Sequence, residues 1–447
     1  MTIATQKNSS RDKRPIDDQT PLLPKSKHEE QGSNGASFSG SVFNLSTTII
    51  GAGIMALPAA MKVLGLGLGI AAIIFLALLT ETSLEFLMRF SRVGKADTYG
   101  EVMGYAFGGV GRRVLQISIL VNNFGILVVY MIIIGDVLSG TSSSGIHHSG
   151  VLDGWFGEQW WTGRTFILFL TTLLVFAPLG FFKRIDSLRY TSALAVALAI
   201  VFLVITAGIT LIKLFSGGIA WPRFLPIVTD ITSVWKLFTA VPVLVTAFVC
   251  HYNVHMIDNE LGDPSRILPV VRASLAMCST IYILTALFGF LLFGESTLDD
   301  VLANFDTDLG IPFSNVLNDI VRLSYAFHLM LVFPVIFFSL RFNLDDLLFS
   351  TARLDNCRFV LLTTGLISLL YVAANFIPSI WDAFQFTGAT ATVCLGFVFP
   401  GAIALRDPHG IASKKDKILS IIMIVLAVFS NVVAIYSNAN SLFSKDG

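Results

Sequence analysis

Charge is what this sequence has least of. Asp, Glu, Lys and Arg make up 13% of the 447 residues, 30 acidic and 30 basic, where a soluble globular chain carries roughly 25%. Hydrophobic residues reach 54% and the mean hydropathy is +0.74, so the chain reads as a polytopic membrane protein in contact with lipid. The formal net charge is zero, so nothing favours nucleic acid as a partner. Cysteine is almost absent: Cys250, Cys278 and Cys394 fall in apolar runs and Cys357 beside a basic loop, so no structural disulfide is expected. No pattern for a bound cofactor is present. The first 37 residues lack the apolar run of a signal peptide. They mix Lys7, Arg11, Lys13, Arg14, Asp17, Asp18 and Glu29 with prolines and serines and read as a disordered tail, residues 1–37.

Long apolar runs are what the sequence has in abundance. A helix needs about 20 apolar residues to cross the hydrocarbon, and scanning on that criterion gives about eleven spans. They cover residues 39–62, 66–90, 113–138, 164–181, 189–214, 233–259, 267–293, 314–340, 357–377, 379–404 and 417–439, a transmembrane domain over 38–440 followed by a short tail, 441–447. With the N-terminus in the cytosol, the inner loops hold Arg89, Arg92, Lys95, Arg112 and Arg113, then Lys183 and Arg184, Arg266 and Arg272, Arg341 and Arg353, and Arg406, Lys414 and Lys415. The outer stretches 140–163 and 295–321 contain no Lys or Arg, and Lys62, Lys213 and Arg223 are the outer exceptions. This asymmetry fits the positive-inside rule, and the odd count places the C-terminal tail on the outer or luminal side.

The first span is broken by its own residues. Gly51 and Gly53 flank Ala52 near its middle, and Pro58 follows a turn later. Glycine is a poor helix residue that tolerates other dihedrals, and unwinding would free backbone groups that lipid cannot satisfy. A half-helix starting near Ile54 would aim its positive end at the midplane, where an anion can bind. Close helix packing explains the glycines equally well from this stretch alone. The sixth span is also irregular: apolar to Val249, it gathers polar groups from Cys250 through His251, Tyr252, Asn253, His255, Asp258 and Glu260. Other midspan polar residues are Asn122, Asn123, Ser324, His328, Thr387 and Thr390, which face either a neighbouring helix or a ligand. Glu81 and Glu85, one turn apart near the inner end of the second span, could form a carboxylate pair with a raised pKa; a meeting with Arg89 or Arg92 at the headgroup level is the expected reading.

Three stretches together resemble one family. Phe43-Asn44-Leu45-Ser46 followed by Ile50-Gly51-Ala52-Gly53-Ile54, Phe248-Val249-Cys250-His251 followed by Glu260-Leu261 and Asp263-Pro264-Ser265-Arg266, and Arg322-Leu323 with Val332-Phe333-Pro334-Val335 and Arg341 are similar to signatures of the amino acid/auxin permease family. That family includes the system A and system N neutral amino acid transporters. Thr48–Pro58, Cys250–His255 and Trp381–Thr390 look closer still to its plant vacuolar amino acid exporters. The resemblance implies an all-α fold of eleven transmembrane helices, a leucine-transporter-like 5+5 inverted repeat plus one extra helix. It also implies a secondary active transporter of L-amino acids working by alternating access. The substrate carboxylate would meet amides around Gly51, Ala52, Gly53 and Ile54, and its ammonium group the carbonyls of Phe248, Val249 and Cys250, with His251, Tyr252, Asn122, Asn123 and His328 as side-chain candidates. Acidic or amide side chains suit these groups, with a broad neutral range as the alternative.

Sodium-coupled relatives carry a hydroxyl in the eighth helix shortly before its proline. Here Phe327–Pro334 contains none, so sodium is in doubt and a proton, carried by His328 or His251, is the expected coupling ion. In the tail, Asp18, Leu22 and Leu23 have the spacing of an acidic dileucine sorting signal that a clathrin adaptor would read. This favours the vacuolar membrane over the plasma membrane. A metal-dependent membrane enzyme would use the i, i+4 pair His251 and His255, but a second such box is missing. An amino acid sensor with residual transport is the other alternative.

Overall fold

The computed structural model describes residues 35–143, 146–349, 355–377 and 388–443. Asp18, Leu22 and Leu23, Thr387 and residues 444–447 lie outside them. Each expected span is mainly helical where described, the first and sixth with a break inside. Eight helices are long and apolar enough to cross a bilayer, or nine when a bent pair at the start is taken as one span. The fourth expected span is the shorter apolar helix Arg164–Gly180, and the described part of the tenth is Thr390–Arg406, so length and composition alone pick out up to nine full spans and two shorter apolar helices among the described residues.

The bent pair is α1 (Phe38–Ile49) and a 3-10 turn, Ala52–Ala56, running into α2 (Leu57–Leu64). The two halves meet at 50°. The chain then runs through α3 (Leu66–Gly94) and α4 (Tyr99–Ser139). Thr98 caps α4 by accepting from the Glu101 amide at 3.1 Å, and Gly108 breaks it with φ 66°. Only glycine adopts that conformation readily, so the first turns of α4 lie off the axis of its long apolar part. A two-strand hairpin, β1 (Thr141–Ser143) and β2 (Ile146–His148), and the short α5 (Val151–Phe156) follow.

The fourth span is α6 (Arg164–Thr171), a π turn and α7 (Ala177–Gly180). Arg341 explains where it stops: its guanidinium donates to the carbonyls of Gly180 and, at 2.8 Å, Phe182, and lies 4.4 Å from the Phe359 ring centroid. A cation there complements the negative end of the helix. Next come α8 (Arg189–Phe215), α9 (Ile231–Leu237), α10 (Ala240–Phe248), α11 (His251–Glu260) and α12 (Ile267–Phe293). Last are α13 (Ser314–Phe349), α14 (Asn356–Phe376), α15 (Phe399–Arg406), which ends the tenth segment, and α16 (Lys414–Phe443). The helix α16 runs three residues past the expected end of the transmembrane domain.

Burial separates the core from the lipid-facing helices. The best apolar window of α13 is 83% buried and that of α14 only 33%, so α13 is a central post that packs against α4 and α8. On the N-terminal face, the Ala36 amide donates to the Glu260 carbonyl at 2.7 Å and the Gly262 amide to the Ala36 carbonyl at 3.2 Å. The Glu260 carboxylate accepts from the amides of Ile185 at 3.1 Å and Asp186 at 2.6 Å. The start of α1, the end of α11 and the approach to α8 are thus joined at one residue.

One expected pairing is corrected here. Glu81 meets Arg272 on α12 at 2.7 Å, not Arg89 or Arg92. Arg89 reaches Asp416 at 2.8 Å and Arg92 reaches Asp258 at 2.9 Å. Local sequence favours partners one helical turn away, whereas the helix neighbours in space offered closer ones.

Candidate functional site

Two helices break at the same place in the molecule. The first stops at Ile49. Ile50 (φ −76°, ψ 98°) and Gly51 (φ −137°, ψ −154°) are extended, and main-chain bonding resumes with the Ile54 amide donating to the Gly51 carbonyl at 3.3 Å. The second stops at Phe248. Val249 is extended (φ −71°, ψ 117°), Cys250 leaves the helical region (φ −138°, ψ 5°), and the Asn253 amide then donates to the Cys250 carbonyl at 3.0 Å. The breaks touch: a Cβ on Gly53 would lie 3.0 Å from the Ala247 Cα. Gly51, Ala52, Gly53, Ile54, Phe248, Val249, Cys250, His251 and Tyr252 are all buried.

Two explanations of the glycines were open, unwinding and packing, and each holds for a different residue. Neither has a positive φ. Gly51 sits in the unwound stretch and gives room to Tyr130, whose hydroxyl would be 2.0 Å from a Cβ there. Gly53 lies in the 3-10 turn and lets it press on the α10 backbone.

Three consecutive carbonyls at the first break are taken by side chains, that of Gly51 in addition to its bond from the Ile54 amide. The Tyr282 hydroxyl of α12 lies 2.6 Å from the Ile49 carbonyl, His328 Nε2 of α13 lies 3.2 Å from the Ile50 carbonyl, and the Tyr325 hydroxyl of α13 donates to the Gly51 carbonyl at 2.5 Å. Tyr282 also lies 2.7 Å from the Ala247 carbonyl, so one hydroxyl bridges the negative ends of both half-helices. The Tyr130 hydroxyl of α4 is a hydrogen-bond partner of the Ala52 backbone. On the far sides of the breaks, Asn253 Nδ2 donates to Thr48 Oγ1 at 3.0 Å and ties α11 to α1.

The two histidines sit differently. His328 Nδ1 is 2.7 Å from the Ala195 carbonyl of α8 while Nε2 faces Ile50. His251 Nε2 is 2.5 Å from Ser83 Oγ, which also lies 3.2 Å from the Thr80 carbonyl. His251 Nε2 and Ser83 Oγ share one hydrogen, and Nδ1 has no hydrogen-bond partner among the described residues. Asn122 and Asn123 bond to each other and to the tenth segment: Asn122 Nδ2 donates to Asn123 Oδ1 at 3.0 Å and Thr392 Oγ1 donates to Asn122 Oδ1 at 2.7 Å. Asn123 stands seven residues before Tyr130, roughly 10 Å along the helix. Ser324 donates to its own helix at Val321.

Outside the spans, several carboxyls are displaced, Asp300 among them. Burial pushes Asp300, in the loop before α13, up to about 6; its bond from the Leu302 amide opposes this, Asp136 adds to it and Arg322 offsets it. Arg322 itself donates to the Ser149 carbonyl at 2.7 Å.

Sequence reasoning missed Tyr130, Tyr282, Tyr325 and Ser83. The available signal was the hydroxyl itself: a tyrosine in the middle of an apolar span must find a partner there, although its identity depends on the fold.

Two interrupted helices whose breaks meet at Gly53 and Ala247 are the arrangement of membrane transporters of the broken-helix kind. The fold agrees with the solved structure of MhsT in complex with L-phenylalanine, with a TM-score of 0.57 at 14% identity over 91% of this chain and 100% of that one. Both have the leucine-transporter-like architecture. The family model for transmembrane amino acid transporter proteins matches residues 34–443, and the chain belongs to that family, one of transporters and not of enzymes. It is 65% identical to the amino acid transporter AVT6A of Arabidopsis thaliana over 432 residues, 95% of this chain and 94% of that protein. It is 64% identical to AVT6B of the same plant over 438 residues, 96% of each.

Proposed function

We propose that the chain moves zwitterionic L-amino acids by alternating access around its two breaks, linked to a proton and directed from an acidic vacuolar lumen to the cytosol. The observation that carries this reading is the meeting of the breaks at Gly53 and Ala247. The amides of Gly51, Ala52 and Gly53 suit a carboxylate, and the carbonyls at Phe248, Val249 and Cys250 suit an ammonium group. Because these are main-chain groups, they recognise the amino acid core; Tyr130, His251 and Tyr252 are nearest to discriminate side chains, with Asn122 and Asn123 deeper along α4. Acidic and neutral amino acids are the proposed range. The buried site must open on one side at a time, and the junction at Glu260 is the inner closure.

Proton linkage rather than sodium linkage is supported by the occupied carbonyls. Those of Ile49, Ile50 and Gly51 already have side-chain partners, and a sodium ion would need several such oxygens free. The resemblance to plant vacuolar exporters and the tail motif at Asp18, Leu22 and Leu23 support the vacuolar membrane and a cytosolic N-terminus. The test is uptake by the purified full-length chain in liposomes, with every amino acid competing against one labelled substrate. Saturable uptake that responds to an imposed pH gradient and persists when choline replaces sodium is expected. Strict dependence on sodium, with no response to collapse of the pH gradient, would overturn the coupling assignment.

A further inference from the structure

His328 is held between two carbonyls from two different helices. Nδ1 lies 2.7 Å from Ala195 on α8, and Nε2 lies 3.2 Å from Ile50 in the unwound part of the first span. A neutral imidazole has one N–H and one lone pair, while the cation has two N–H groups. A bare nitrogen cannot sit 2.7 Å from a carbonyl oxygen without repulsion, since that separation is the length of a strong hydrogen bond. Nδ1 therefore carries hydrogen whatever the charge. The longer contact at Nε2 is where the second proton matters. With it, Ile50 has a donor. Without it, a lone pair faces a carbonyl that unwinding has stripped of its helical partner, and a buried carbonyl without a donor is unfavourable.

Resting on the proton-linked reading above, we infer that His328 Nε2 is the titrating atom and that its proton ties the unwound segment of α1 to α8 and α13, closing the site. Loss of that proton replaces a hydrogen bond with a repulsion at Ile50 and releases the first half-helix. Gain of it pulls the segment back. The step is a proton transfer between Nε2 and water admitted when the site opens, with no other bond changed.

The surroundings keep the switch clean. Among the described residues, the polar partners of the ring are the two carbonyls, one from α8 and one from the first break, and no charged side chain acts on it. Its titratable neighbour is Tyr325 on its own helix, with ring centroids 5.0 Å apart, and that hydroxyl is already committed to Gly51. His251 has no such geometry: one nitrogen is bonded to Ser83 and the other has no partner among the described residues, which suits a neutral ring. Of the two histidines that sequence offered, the arrangement selects one.

The decisive variant is His328→Gln, whose amide can still donate but does not titrate. In liposomes holding the full-length chain, H328Q is expected to lose far more of its pH-driven accumulation than of its exchange of labelled for unlabelled amino acid. Its accumulation ratio under a pH gradient should collapse to unity, and the substrate-dependent proton movement reported by an entrapped pH dye should vanish. A second measurement uses the unmodified protein: ¹⁵N signals of labelled histidine, with the His328 signal identified by its absence in H328Q. Two protonated nitrogens at acid pH and loss of the Nε2 proton alone on raising the pH are expected. Wild-type pH-driven accumulation by H328Q, or equal loss of exchange and accumulation, would overturn the assignment, as would a His328 ring that stays neutral throughout the pH range of transport. Absence of exchange in the unmodified protein would instead sink the transport reading itself.

Discussion

The two breaks at the centre of this protein are made by different means. The first is written in glycine and clamped from outside: Gly51 and Gly53 give space, and Tyr282, His328 and Tyr325 take the carbonyls of Ile49, Ile50 and Gly51 in turn. The second has neither glycine nor proline at the break. Val249 and Cys250 leave the helix with negative φ, in conformations open to any residue. The first break is thus an element clamped through its carbonyls, and it needs small residues. The second needs no particular residue, and its shape is imposed by what surrounds it.

The largest test of this contrast is Gly53→Leu. Its Cβ would press on the Ala247 backbone, which cannot yield as a side-chain tip can, so uptake should fall to background with normal membrane abundance. Normal uptake by G53L would mean the breaks need not touch. Gly51→Ala comes next. Its Cβ collides with the Tyr130 hydroxyl, and uptake should fall sharply, then recover in part when Tyr130→Phe removes that oxygen. Failure of the double variant to improve on G51A would show that Gly51 is required for its backbone and not for space.

Tyr282→Phe leaves the Ile49 and Ala247 carbonyls without their shared donor, at a cost of about 1–3 kcal/mol. A lower Tm of the purified protein in detergent reads this; an unchanged Tm would mean water or another group replaces the hydroxyl. Asp300→Asn provides a control away from both breaks. Its carboxyl titrates at about 6 in the folded protein instead of 3.8, so the folded state binds the proton more readily and stability falls as pH rises through that window. D300N should flatten this part of the Tm profile while pH-driven uptake survives. Loss of pH-driven uptake in D300N would move the coupling site to the loop. The smallest effect on transport is expected of Val249→Gly: losing a buried side chain and loosening the backbone should cost about 2–4 kcal/mol of stability, with transport by the folded protein largely kept; a large loss would make the second break as residue-specific as the first.

The same contrast explains what could be read from the chain. Segments such as Leu66–Gly94 and Ile267–Phe293 were legible because lipid demands an apolar run of a known length. The first break was legible because Gly51 and Gly53 are rare companions in a span. The second was visible only as the polar run that follows it, from Cys250 to Glu260, and the tyrosines that clamp the first were not visible at all. Tyr282, Tyr325 and Tyr130 come from three helices far apart in sequence, and no local pattern records which carbonyl each hydroxyl will meet. The expected neighbours of Glu81 failed for the same reason: Arg272 lies 191 positions away.

Glu260 makes two kinds of attachment that must differ in lifetime. Through its carbonyl it binds Ala36, and both belong to the pair α1 and α11 that Thr48 and Asn253 also join. Through its carboxylate it binds Ile185 and Asp186 at the foot of α8. If α1 and α11 swing together, the first attachment rides along unbroken and the second is severed at each opening. In deuterated solvent the Ala36 amide would then keep its hydrogen through many turnovers, while the amides of Ile185 and Asp186 exchange at a rate set by the number of times the inner side has opened.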